Sequence, residues 1–133
     1  MQILLPEGWK EPVGYSNGIA ARPGRIVFVA GQVGWNAAQQ FESEEIAPQF
    51  DQALRNILAV LAGAGGRAEH ICRITAFCCD KPAYLAARGQ LGRIWRQHMG
   101  RHYPAMSMIF VSDLLDNPGK IELEATAVIP DPA

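Results

Sequence analysis

Ile71-Cys72-Arg73-Ile74-Thr75-Ala76-Phe77-Cys78-Cys79, followed at once by Asp80-Lys81-Pro82, is the stretch on which the fold turns. In a strand, alternate side chains point to opposite faces. Here both sets, Ile71, Thr75, Phe77 and Cys79 against Cys72, Ile74, Ala76 and Cys78, are largely apolar. Such a strand needs cover on both faces. Asp80 and Pro82 then open a helix whose apolar side comprises Tyr84, Leu85, Leu91, Ile94, Trp95 and His98. Gly89 and Gly92 weaken it, and Gly100 is placed to end it.

Downstream, Ala105–Asp113 and Lys120–Ile129 read as two closing strands joined by an Asp116-Asn117-Pro118-Gly119 turn. Upstream, Ile26-Val27-Phe28-Val29-Ala30 is a continuous apolar run between Gly24 and Gly31, a strand covered on both faces. Gly18-Ile19-Ala20-Ala21 is expected to pair with it as a hairpin turned by Arg22-Pro23-Gly24, and residues 2–5 offer one further strand. Residues 34–43 have no period and read as a loop. A helix starts near Glu45, with Glu44 and Glu45 at its positive end and Pro48 confined to its first turn. Its apolar face is Phe50, Leu54, Ile57, Leu58 and Leu61, and Gly63, Gly65 and Gly66 terminate it. These glycines follow a helix rather than joining a strand to one, which makes them a cap and turn, not a phosphate loop.

The predicted order is ββαβαββ: an α+β fold, a single-layer sheet with two helices on one face, in one domain spanning residues 1–133. One helix layer leaves the other sheet face, with its Val, Met, Ile, Ala and Cys, in need of a cover, so association with further copies follows from the apolar pattern.

Composition narrows the function classes. Net charge is −1, from 12 basic and 13 acidic residues without a block of either sign, so no electrostatic footprint for nucleic acid or an anionic membrane is present. Met1-Gln2-Ile3-Leu4-Leu5-Pro6 lacks a basic leader region, and no segment approaches the ~20 apolar residues of a membrane span. A cytoplasmic protein is the expectation. Cys72, Cys78 and Cys79 cannot pair sensibly within one strand and read as free thiols. His98 and His102 have Gly100 between them and no acidic partner in the motif; no metal and no cofactor are expected.

Glu122 and Glu124 share one face of the last strand, with Ile121, Leu123 and Ala125 on the other. A carboxylate pair suits acid–base work or simply a solvated edge; the pattern leaves both open. Met106 and Met108, two apart, present a thioether wall that either packs a core or receives apolar ligand parts.

Five pieces, in order, carry a resemblance: Tyr15-Ser16, Ala30-Gly31-Gln32-Val33, Ala62-Gly63-Ala64-Gly65, Pro104-Ala105-Met106-Ser107 and Ile121-Glu122-Leu123-Glu124-Ala125. From about Tyr15 to Val128 the chain resembles the RidA/YjgF family, small trimeric proteins whose best-known members hydrolyse reactive imines and enamines. The resemblance implies a chorismate-mutase-like fold, a homotrimer closed around a central barrel, and small-molecule clefts between subunits. It implies that Glu122 positions the attacking water, with Tyr15, Gly31, Met106 and Met108 at the ligand. The family's deaminases carry at the Met106 position an arginine that grips the substrate carboxylate bidentately, which a thioether cannot do. Gly89 stands where the family tends to have Asn, and Ala30 where Ser is common. Trp35 is a candidate aromatic wall, and Arg73, Arg88, Arg93, Arg96 and Arg101 are the cations nearest in sequence to the strand and helix concerned, expected mostly to solvate the helix's outer face.

Three functions follow as expectations. The first is a RidA-like hydrolase or deaminase of imine-like or related small metabolites that lack a carboxylate anchor. The second is a non-catalytic ligand-binding trimer. The weakest is endoribonuclease-type activity, a label sometimes attached to the family, for which the near-neutral charge supplies no basic surface.

Overall fold

A computed structural model of the chain describes residues 1–132. Its elements run β1 (Gln2–Leu4), β2 (Gly18–Ala20), β3 (Gly24–Val33), α1 (Ile46–Ala62), β4 (Ile71–Cys78), α2 (Lys81–Met99), β5 (Ala105–Phe110) and β6 (Ile121–Pro130), with a short 3-10 turn at Ala68–His70 leading into β4. The main sheet has the order β3-β6-β4-β5. Its β6 strand is antiparallel to both neighbours, whereas β4 and β5 are parallel and joined through α2.

Both helices begin and end where their local chemistry dictates. Asp80 caps α2 by accepting a 3.0 Å hydrogen bond from the Ala83 amide, Pro82 lies in the first turn, and Gly100 leaves the helix at φ 60. Helix α1 buries a continuous stripe of Phe50, Ala53, Leu54, Ile57 and Leu61 against Ile74, Ala76, Ile121, Leu123 and Ala127 of the sheet. The opposing set of α2 is much narrower, since only Leu91, Trp95 and Met99 are buried and Leu85 is exposed. The start of α2 packs on the end of β5 through Tyr84 and Phe110, whereas farther along, at Gly92, a cleft remains beside Met106.

Buried polar groups fasten α1 to the ends of the strands. Gln49 donates to the carbonyls of Ser43 and Pro118 and accepts from the Lys120 amide at 2.7 Å, so the entrance to β6 is tied to the helix. Asn56 donates to the carbonyls of Val33 and Trp35, fixing the end of β3. At Gly34 a Cβ would stand 2.4 Å from Gln49 Cα, so only glycine permits this approach of strand to helix.

Three expectations need correction. Strand β2 pairs with β1, not with β3: Gln2 faces Ala20 and Leu4 faces Gly18 in a separate ribbon. The reason lies at the foot of β3, where Pro23 has no amide to give, its carbonyl accepts from Asp131, and Gly24 presses against the Ile129 carbonyl of β6. That segment is engaged by β6 and does not fold back on β2. Next, β3 does not stop at Ala30 but continues to Val33 through a register shift between Val29 and Gln32. Finally, Met106 and Met108 are not on the open face. They sit in register with Ile74 and Ala76 and, like those residues, pack toward the helices.

The face away from the helices remains uncovered in the single chain. Phe28 is 77% exposed, Ile26 59% and Ile109 43%, beside Arg73, Thr75, Glu122 and Glu124. A register irregularity between Ile71 and Arg73 turns Ile71 to the core side, leaving Arg73, Thr75 and Phe77 on this outer face.

Candidate functional site

The residues singled out from sequence fall into two groups, each well built and each on its own side of the sheet. The first surrounds the open edge left by α2. Ser16 bridges Ala105, donates its hydroxyl to the Tyr103 carbonyl and its amide to that of Pro104 at 3.0 Å. This buried serine docks the N-terminal segment onto the start of β5 and thereby sets Tyr15 in the same cleft as Met106. Trp95 donates to the His102 carbonyl and stacks on Tyr103 with centroids 6.0 Å apart and planes at 9°. Tyr15, Tyr103, Met106 and Met108, with Leu91 and Trp95 behind them, line a cleft of about 360 Å³. That volume suits a small metabolite.

Two cations open into the same cleft, Arg88 and Arg96 of α2. Helical position alone suggests that they solvate the outer face of α2. Both stay exposed at the rim of the cleft, and the Arg96 guanidinium lies back over Gly92, 3.5 Å from where a Cβ would be. Arg73 is on the other side of the sheet, with Phe28, Glu124 and Thr126. Trp35 packs against Phe41 with centroids 5.8 Å apart and does not line the methionine cleft. Leu91 and Trp95, read from sequence only as part of the apolar side of the helix, and Tyr103, which the pattern does not single out, are cleft residues; Trp95 and Tyr103 meet because the chain turns after Gly100.

The second group is Gly31 and Glu122. The register shift at Ala30-Gly31 bulges β3 toward β6, and a Cβ on Gly31 would lie 2.4 Å from Glu122 Oε2. Glycine at 31 is therefore what lets the carboxylate lie along the bulge. Desolvation by burial raises the Glu122 pKa above the ordinary carboxylate value, and the nearby charges of Asp116 and Glu124 push it the same way. Glu124, on the same face two residues on, is exposed. Burial likewise raises the Cys72 and Cys78 thiols, and all three cysteines are free.

Residues 10–129 match the family profile described as Endoribonuclease L-PSP. This chain belongs to the RidA/YjgF family. It is 30% identical over 105 residues to a RutC family protein of Haemophilus influenzae, covering 79% of this chain and 80% of that one. It is 28% identical over 105 residues to the 2-iminobutanoate/2-iminopropanoate deaminase of Salmonella typhimurium, covering 79% and 80%. Among solved structures, the conserved Rid-family protein YyfB of Yersinia pestis, described as of unknown function, superposes with a TM-score of 0.85 at 31% identity, covering 96% of this chain and 98% of that one. The RidA fold of two helices on one face of the sheet is thus the observed architecture, and no helix among the described residues is long and apolar enough to cross a membrane.

Proposed function

We propose that this RidA-family protein hydrolyses imine-like or related small metabolites at a site shared between copies of the chain, without a carboxylate grip at position 106. The observation that carries this reading is the arrangement of Gly31 and Glu122: a carboxylate with a raised pKa, seated against a glycine bulge on the uncovered face. A base with a pKa moved toward neutrality is suited to taking a proton from water. Water oxygen bonds to the imine carbon as the C=N π bond opens and Glu122 relays the water proton to the nitrogen. Glu122 then relays the remaining hydroxyl proton to that nitrogen, so that the C–N bond breaks with its electron pair leaving as ammonia while the C=O bond forms. The Tyr15–Met106–Met108 cleft faces the other way in the single chain, so the two halves complete one another only if the uncovered face of one copy meets the β5 edge of the next. A ring of three copies, as the family resemblance implies, does this and covers Phe28 and Ile26 as well.

Relatives named as 2-iminobutanoate/2-iminopropanoate deaminases support the reaction class. Met106 argues for a different substrate, because a thioether offers a carboxylate no hydrogen bond. The same residue favours a second reading, a ligand-binding trimer without turnover. Ammonia release from an uncharged imine generated in solution separates the two. Turnover by the parent and its loss in Glu122→Gln supports hydrolysis; binding without ammonia from either protein supports the second reading.

A further inference from the structure

We propose that Arg88 and Arg96 form an anion anchor in the methionine cleft, which makes its ligand a monocarboxylate with an aromatic or extended apolar body. The inference rests on the cleft being a ligand site, as the proposed function requires, but not on any turnover there.

Four observations converge. Both arginines line the same cleft as Met106 and Met108, eight residues apart on α2 and so on one side of it. Neither has a carboxylate partner among the described residues; the arginine ion pairs there are Arg55 with Asp51 and Arg67 with Glu69. No aspartate or glutamate lines the cleft, so it carries two positive charges and no negative one in a protein whose net charge is −1. And the Arg96 guanidinium folds back over Gly92, itself a cleft residue, 3.5 Å from where a Cβ would stand.

Two guanidiniums without carboxylate partners, opening into one cleft, attract an anion, and the planar fork of either suits a carboxylate in two-point contact. The remaining wall is apolar and aromatic. Tyr15 and the Tyr103–Trp95 stack supply ring faces, and the methionines adapt to ligand shape. A ligand matching this wall carries its charge toward α2 and its body along Met106 and Met108. The carboxylate contact has been moved from β5 to the helix, not abolished. A short 2-oxo or 2-imino acid has no body to span from one to the other.

The test is calorimetric binding of 3-phenylpropanoate, its neutral near-isostere 3-phenylpropanamide, and 2-oxopropanoate to the full-length protein. The phenyl acid should bind about tenfold or more tightly than the amide, with 2-oxopropanoate weaker than the phenyl acid. In the Arg88→Gln/Arg96→Gln double variant the acid should fall to the level of the amide, while Arg96→Lys retains part of the difference. Both side chains are exposed, so folding is preserved, and circular dichroism checks it. Equal binding of acid and amide by the parent, a preference that survives in the double variant, or no binding of any probe overturns the anchor. If binding follows the arginines but no imine is turned over, the anchor stands and the hydrolase reading falls. If neutral imines are hydrolysed through Glu122 while acid and amide bind equally, the hydrolase reading stands and the anchor falls.

Discussion

Gly31 and Glu122 occupy a single space: the hydrogen of the glycine is all that separates its Cα from the carboxylate, and a methyl group there would stand 2.4 Å from Oε2 and 2.8 Å from the carboxyl carbon. Gly31→Ala should therefore leave the fold intact, since the colliding atoms are the free end of a flexible side chain, and displace the one carboxylate on which the proposed chemistry depends. A displacement of this size costs about 100-fold in turnover. Ammonia-release kinetics beside a thermal melt checks both halves, with kcat lowered and Tm nearly unchanged.

Glu122 also marks stability with a pH signature. Its folded pKa is raised, so folding disfavours the ionised form. The associated stability is present below the unfolded carboxylate pKa and is lost as pH rises through the raised value. Glu122→Gln, which cannot ionise, should accordingly be more stable than the parent at about pH 8 and lose that advantage at about pH 4. Denaturant titrations at the two pH values measure it. Turnover moves the opposite way, falling as acid protonates the base, with a midpoint above that of an ordinary glutamate.

On the proposed reading, Met106 decides which small acids are refused. Hydrolysis of 2-iminopropanoate should be slower than in an arginine-bearing relative by about 30- to several thousand-fold, the effect of losing a charge-assisted bidentate contact worth ~2–5 kcal/mol. Met106→Arg should restore calorimetric binding of 2-oxopropanoate, because Glu122 and the Gly31 bulge are untouched by the change. Full activity is not expected, since Gly89 and Ala30 also depart from the active pattern and Arg88 and Arg96 already charge the cleft.

Short-range chemistry makes much of the fold legible in the sequence. Asp80 and Pro82 mark one end of α2 and Gly100 the other, and the α1 stripe is a plain 3.6-residue repeat. Strand pairing is a long-range property, which is why the sequence pattern points β2 to the wrong neighbour: nothing near Gly18–Ala20 announces that Gln2–Leu4 is its partner. A glycine after an apolar run looks alike whether it ends a strand or bulges one, and Gly31 does the latter. That Arg88 and Arg96 reach the same cleft as Met106 depends on where α2 lies beside β5, which periodicity does not record. Glu122 is legible as a carboxylate on the polar face, but its contact with Gly31 is not, because it joins residues from two strands.

The uncovered sheet face predicts association. Phe28, 77% exposed, and Ile26, 59%, are large apolar side chains at the surface of a single chain. Light scattering should report a trimer at micromolar concentration. Phe28→Asp should shift it toward monomer with little change in the circular dichroism of the chain, since Phe28 makes no part of the helix-side core.

The most direct test asks whether the two half-sites belong to different copies. Glu122→Gln disables the carboxylate half, and Met106→Trp fills the cleft half; each protein alone should release no ammonia from an uncharged imine. Unfolded together in equal amounts and reassembled, they should regain about one quarter of parental activity, the fraction of interfaces in a mixed ring that pair an intact cleft with an intact Glu122. If the mixture stays as inactive as its components while forming mixed trimers, the halves do not meet between subunits and the composite site is contradicted.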